Sequence, residues 1–294
     1  MLTGKGGVGR TSVAAAMALA AAKQGKKVLI AEVGEPDVDF SPLGAIFGRN
    51  TLPKEPVSLA PGVSGVMVWS RMGHERFLRM VLPIPALVKA ALRSGALRRM
   101  LDAAPSLNEL GVFYHMLSLV RPSSSTGKSD FDLFIVDLPA TGHALGMAHL
   151  PENILGIIPS GPIHRAMREG MSVFFNAEES AMYVVTLPEL LPVTECVELL
   201  DSLESTEMPI GGVIVNKVHL DTFSDEERAE LAPIFANRRL FGETRFLGLG
   251  KVEQALTLLN ERVDAPILRL PEFVGEGMEL AEKMAETFDG KVSQ

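Results

Sequence analysis

A single cysteine, Cys196, rules out an intrachain disulfide and any paired CxxC clip. Its place in an expected helix start, after a strand and a proline, suits core packing. Positive charge is also in short supply. A net charge of -8 and a pI near 5.4 work against the counterion release that holds sequence-independent binders on phosphate backbones, so nucleic acid is not an expected partner. Long apolar runs are missing as well: Val13 to Ala22 stops at Lys23, well short of the roughly 18 residues that suggest a membrane span. The chain opens inside a glycine-rich loop instead of a signal peptide, which predicts a soluble, cytoplasmic protein with at most peripheral membrane contact. No composition break and no fixed-period repeat divides the chain, so residues 1–294 are expected to fold as one domain.

What is present fits an α/β architecture. Apolar residues make up 47% and charged residues 22%, enough to bury a large core without disulfides. Thr11 to Lys23 is rich in strong helix formers and is followed by Gly25, a natural left-handed cap. Val28 to Glu32, Phe131 to Val136, Met182 to Leu187, Val213 to Val215 and Ile267 to Leu270 are short apolar runs separated by longer helical or irregular stretches. That alternation predicts a mostly parallel sheet covered by helices on both faces. Residues 71–120 differ, with Leu, Met, Ala and Arg in place of strand signals, and read as a helical insertion. Pro53, Pro56 and Pro61 before it, and Ser123, Ser124, Ser125 and Gly127 after it, read as linkers. Between Arg71 and Met100 the one acidic residue is Glu75. The basic surface is either a solvated helix face or a docking surface for an acidic partner or lipid headgroups.

Gly4, Lys5, Gly6, Gly7, Val8, Gly9, Arg10 and Thr11 make the GxxxxG frame of a phosphate loop, with arginine where a lysine normally stands. Glycines suit this bend because successive N–H groups must turn inward in conformations that a Cβ obstructs. The helix that follows adds its positive end. Thr11 carries the hydroxyl that such loops place on magnesium, and Ser12 falls beside the α-phosphate. Asp137, at the end of an expected strand, is placed to hold magnesium through water. Pro139, Ala140, Thr141, Gly142 and His143 read either as a γ-phosphate-sensing loop or as a plain strand-to-helix turn. Asn216 follows another strand and offers a donor and an acceptor to a nucleobase. His143 and His164 lack a metal-ligand spacing, so no zinc is assigned.

GKGGVGRTS at Gly4, DLPATGHAL at Asp137, LPELLPVTE at Leu187, VNK at Val215 and LPEF at Leu270 occur in one order across almost the whole chain. Together they resemble the ArsA-type ATPases, members of the deviant Walker A group of P-loop NTPases that also contains MinD and ParA. The resemblance implies ATP and Mg²⁺ as cofactors and a homodimer or heterodimer with a related ATPase. Lys5 is then the signature lysine, reaching a partner's nucleotide; Lys5, Arg10 and Asp137 are the catalytic candidates. Asn216, Leu270, Pro271, Glu272 and Phe273 are implied to line the adenine.

Three departures from the family pattern stand out. Arg10 keeps the charge of the loop lysine, but its planar fork cannot sit as a compact point charge between β and γ oxygens. Gly34 occupies the position where the resemblance puts a water-activating aspartate, and Glu32, Glu35 and Asp37 do not match that position. The strand entering the loop is reduced to the first residues, so either the natural start lies upstream or the strand is short. Arsenite-binding members use several thiols and many targeting members use CxxC pairs; Cys196 supports neither. The 14 methionines include Met67, Met72, Met80, Met100 and Met116 in or beside the insertion, either as ordinary core or as a flexible groove for a protein client. The expected function is a slowly hydrolysing ATPase whose nucleotide state gates client binding. A regulatory subunit of a heterodimer is one alternative. A MinD-like surface-positioning ATPase is another, although Met278 to Phe288 is acidic and ill suited to anionic lipid.

Overall fold

The computed structural model describes residues 1–34, 39–82, 84–95, 105–121, 129–139, 141–219, 223–237 and 243–288. Its strands are β1 (Leu2–Gly4), β2 (Val28–Val33), β3 (Val57–Ala60), β4 (Val63–Val68), β5 (Leu133–Asp137), β6 (Met182–Thr186), β7 (Ile210–Val218) and β8 (Ile267–Pro271). They form one eight-stranded sheet in the order β3-β4-β2-β5-β1-β6-β7-β8. Every pairing is parallel except the antiparallel β3–β4 edge. Short β1 gains both neighbours at once, with Leu2 opposite Asp137 of β5 and opposite Tyr183 of β6.

Parallel strands buried on both faces need apolar residues on both. On β2, Val28 and Ile30 belong to one core, and Leu29 and Ala31 to the other. The first core is covered by α1 (Arg10–Lys23) and α11 (Gly277–Ala285), the second by α5 (Pro105–Val120), α6 (Thr141–Ile157), α7 (Pro162–Phe174), α8 (Leu190–Glu204) and α10 (Glu243–Arg262). Cys196 lies in the second core, where burial pushes its thiol up to about 12. The remaining helices are α2 (Pro42–Ile46), α3 (Ser70–Val81), α4 (Pro85–Arg93) and α9 (Asp225–Asn237). Among the described residues no helix is long and apolar enough to cross a membrane.

The stretch read as a proline linker is in part a hairpin. Pro61 and Gly62 make the turn between β3 and β4, and Gly62 takes the left-handed conformation, φ 76°, that the turn requires. β4 is then drawn into the sheet beside β2 because Val63, Val66, Met67 and Val68 are buried. Within 71–120, α3 and α5 cross so closely that a Cβ on Gly73 would stand 1.7 Å from the Gly111 carbonyl oxygen. The methionines there divide: Met67 and Met116 are buried, Met80 is exposed, and Met100 lies outside the described residues. The basic surface is partly neutralised, since Arg76 pairs with Glu55 at 3.0 Å and Arg79 with Glu75 at 2.5 Å. Arg98 and Arg99 lie outside the described residues.

Candidate functional site

β1 delivers its loop at the middle of the sheet, between the carboxyl ends of β5 and β6. Gly4 has φ 149° and lies so near β6 that a Cβ would stand 2.2 Å from the Val185 carbonyl oxygen, so no side chain is tolerated. Val8, buried, anchors the far side of the bend. Gly9, left-handed at φ 85°, caps α1 without a side-chain hydrogen bond. The first-turn amides of Arg10, Thr11 and Ser12 therefore have no partner inside the helix, as at any helix start, and form its positive end. Lys5, Gly6 and Gly7 are exposed, and nothing lies within 4 Å of where a Cβ on Gly6 or Gly7 would stand. That open side leaves room for phosphate oxygens against the loop backbone.

Asp137 closes the other wall. Its Oδ2 accepts a hydrogen bond from the Thr11 hydroxyl at 2.6 Å, and its Oδ1 accepts one from Arg10 Nε at 2.6 Å. Arg10 Nη1 also donates to the Gly4 carbonyl at 2.9 Å. The guanidinium thus stitches the ends of β1 and β5 together instead of reaching over the open side of the loop. Burial pushes the Asp137 carboxyl above its ordinary value, against the pull of Arg10 and Thr11. Glu32 stands beside Asp137 in the β2–β5 register. Its Oε2 accepts from the Ser41 hydroxyl at 2.6 Å and the Leu43 amide at 2.9 Å, and burial raises its pKa too. Thr11 and Asp137 are the hard oxygen donors that magnesium takes, and they are the residues that would hold it. Such an ion would neutralise phosphate charge.

The other expected residues fall around this centre. Ser12 is half-buried in the first turn of α1. Lys5 turns out of its own loop, and its ammonium pairs with Glu195 of α8. Asn216 is buried under the bend and its Nδ2 donates to the Val8 carbonyl at 2.9 Å, so the amide braces the loop. Leu270 is core, Pro271 and Phe273 are half-buried, and Glu272 is exposed with its amide bonded to the Val218 carbonyl at 3.1 Å. A cavity of about 570 Å³ opens beside Pro271, lined also by Val218, His219, Leu256 and Arg269. Gly34 has no room for a larger residue as packed: a Cβ would meet Met67 Sδ at 2.6 Å. Glu35, Asp37 and Ala140 lie outside the described residues. After Pro139, α6 starts at Thr141 with Gly142 and His143 exposed, and its Gly146 backs onto the carboxylate of Glu109 on α5.

Sequence reading missed Glu195 and the anchoring role of Glu32. A lone acidic residue ending an apolar strand was a usable signal for Glu32; Glu195 closes the LPELLPVTE segment, which marked its place but not its pairing with Lys5.

Residues 1–159, more than half of the chain, match the family model described as anion-transporting ATPase. ATPase BagA of Mycobacterium tuberculosis is 29% identical over 222 residues, 74% of this chain and 64% of that protein. An arsenical pump-driving ATPase of Acidiphilium multivorum is 30% identical over 164 residues, 54% of this chain and 26% of that protein. One from Escherichia coli is 28% identical over 185 residues, 62% of this chain and 30% of that protein. The matched part of the chain spans less than two thirds of the length of these relatives. The glycine loop at the sheet centre, the Thr11–Asp137 pair beside it and the match over residues 1–159 agree: this chain belongs to the ArsA-type anion-transporting ATPase family.

Proposed function

We propose that this chain binds ATP at the Gly4–Ser12 loop, where magnesium serves turnover, and acts as a slowly hydrolysing subunit of an ATPase dimer. Nucleotide state then gates a helical surface for a protein client. Lys5 carries this reading. Its ammonium is exposed, points away from its own loop and rests on Glu195. On the same helix Leu190 and Leu191 are 46% and 69% exposed. An exposed cation beside exposed leucines suits a second subunit approaching the loop face. An exposed ion pair such as Lys5–Glu195 contributes little stability and is easily exchanged for a partner's phosphates.

Gating is supported by the route out of the site. Asp137 leads directly into α6, α6 rests on Glu109 of α5, and α5 crosses α3 at bare backbone. The α3–α5 layer is the helical insertion of a single ATPase domain in this reading. Its exposed Met80, Ile84 and Leu87 offer apolar surface to a client. Slow turnover follows from two positions: Arg10 is committed to Asp137, and the space at Gly34 is filled by Met67. Phosphoryl transfer depends on positioning and charge stabilisation, which those positions would otherwise supply. Sedimentation velocity with a non-hydrolysable ATP analogue tests the proposal. Association is expected for the unaltered chain and lost in Lys5→Ala; a chain that binds the analogue and stays monomeric at all concentrations rejects the dimer.

The same two positions also favour a second reading, in which this chain is the regulatory half of a heterodimer. Phosphate release by this protein alone, and mixed with a related subunit that has lysine at the position of Arg10, separates the two. Stimulation only in the mixture supports the regulatory half; equal rates exclude it.

A further inference from the structure

Arg10 is tied down by a rigid planar fork where the lysine usual at its position has a flexible, compact ammonium. Its fork makes two bonds at once, Nε to Asp137 Oδ1 and Nη1 to the Gly4 carbonyl, while Thr11 occupies Oδ2. Both oxygens of the carboxylate are therefore engaged by the chain itself. The pair is sheltered, with the Asp137 side chain 4% and the Arg10 side chain 16% exposed, so water screens it little. Glu32 lies next to Asp137 across the strand register, but its carboxyl is held by Ser41 and Leu43, so the guanidinium's carboxylate partner is Asp137. Arginine does not shed its charge to make way for another ion.

We propose that Arg10 is a resident counter-cation of Asp137 that competes with divalent metal for this carboxylate, so that the site holds nucleotide with little help from magnesium. The proposal rests on the nucleotide reading above and concerns how that site is regulated: occupancy responds to ATP concentration and hardly to free Mg²⁺. Two geometric facts set the competition. A metal on Thr11 and Asp137 needs the oxygen that Arg10 Nε holds at 2.6 Å or must crowd a guanidinium tied to the loop's first carbonyl. A lysine at this position carries its charge as one compact ammonium on a flexible stem, which can swing from Asp137 towards phosphate more easily than a planar fork held at two places.

The experiment is the affinity of a fluorescent ATP analogue in EDTA and in excess Mg²⁺, for the unaltered chain and for Arg10→Lys. The unaltered chain is expected to bind with affinities within about threefold in the two conditions, while Arg10→Lys gains about tenfold from magnesium, near 1.4 kcal/mol. A tenfold magnesium gain in the unaltered chain overturns the proposal and leaves the nucleotide reading standing. Equal, small gains in both proteins overturn it too, since Arg10 is then not the cause. No binding in either condition sinks the nucleotide reading and this proposal together. Should Arg10→Lys fail to fold by circular dichroism, Arg10→Gln takes its place in the same comparison, with the same outcomes supporting or overturning the proposal.

Discussion

Around α1 the chain packs with alanine: Ala14, Ala15, Ala16, Ala18, Ala20 and Ala21 are fully buried between the sheet and its covering helices. Along these alanines the helix meets the strands through apolar contact, and its directional contacts gather at its head, where Arg10 and Thr11 bond Asp137 beside the glycine loop. The α3–α5 layer is assembled differently. Its close approach is glycine on glycine, and polar contacts ring it: His74 Nε2 with the Leu107 carbonyl at 2.7 Å, Arg76 Nη1 to the Ser118 hydroxyl at 2.8 Å, and the Trp69 amide to His115 Nδ1 at 3.0 Å. Non-directional burial degrades gradually under perturbation, whereas a few oriented contacts around a bare crossing fail one at a time. The first region is suited to hold a ligand still, and the second to answer it.

The largest effect is expected at the crossing itself. Gly73→Ala sets a Cβ 1.7 Å from the Gly111 oxygen and must lever α3 off α5, costing about 3 kcal/mol or more in urea unfolding. Ala20→Gly in α1 removes only helix propensity and a methyl, about 1–2 kcal/mol. Equal losses in the two variants erase the distinction drawn here.

Acid divides the same regions. His115 in the helical layer is fully buried, and its pKa falls from 6.5 to about 4, chiefly through burial and then through the charge of Arg76. The unfolded chain takes up a proton that the folded chain refuses. Its contribution is therefore complete above pH 6.5 and is lost as pH falls towards 4, up to about 3 kcal/mol. Glu32 at the phosphate side has the opposite sign: burial raises its pKa, so its contribution is complete below its ordinary 4.5 and lost as pH rises through the folded value. Denaturation at pH 7 and pH 4.5 spans both titrations, and comparison with a histidine variant isolates the His115 part. Between those pH values, His115→Asn should lose about 2 kcal/mol less than the unaltered chain. Identical pH dependence places the titrating group elsewhere.

The smallest effect belongs to the brace under the loop. Asn216→Ala removes one buried hydrogen bond to Val8 and should lower stability by about 1 kcal/mol. Because the bond holds the bend proposed to receive phosphate, affinity for an ATP analogue should fall as well. Calorimetry and a thermal melt on one sample separate the effects, and unchanged affinity with lowered stability limits Asn216 to a structural role.

The sequence was most readable where chemistry is local. The glycine spacing, the alanine-rich helix and the buried strands are patterns within a few residues, and they predicted the sheet and the loop at its centre. The β3–β4 hairpin was hidden because prolines read as a linker signal, although Pro61 and Gly62 form a turn. Arg10 and Asp137 are separated by 127 residues, and their bond exists only because β1 inserts beside β5. For Asn216 the amide was legible and its direction was not, since only the packing of β7 under Gly9 decides what it faces.

Met67 gives the departure at Gly34 a further meaning. The sulfur occupies the volume that any side chain at residue 34 would enter, and Met67 is itself buried. An acid introduced at residue 34 must therefore move the flexible Met67 side chain aside, and is accommodated more readily where residue 67 is smaller.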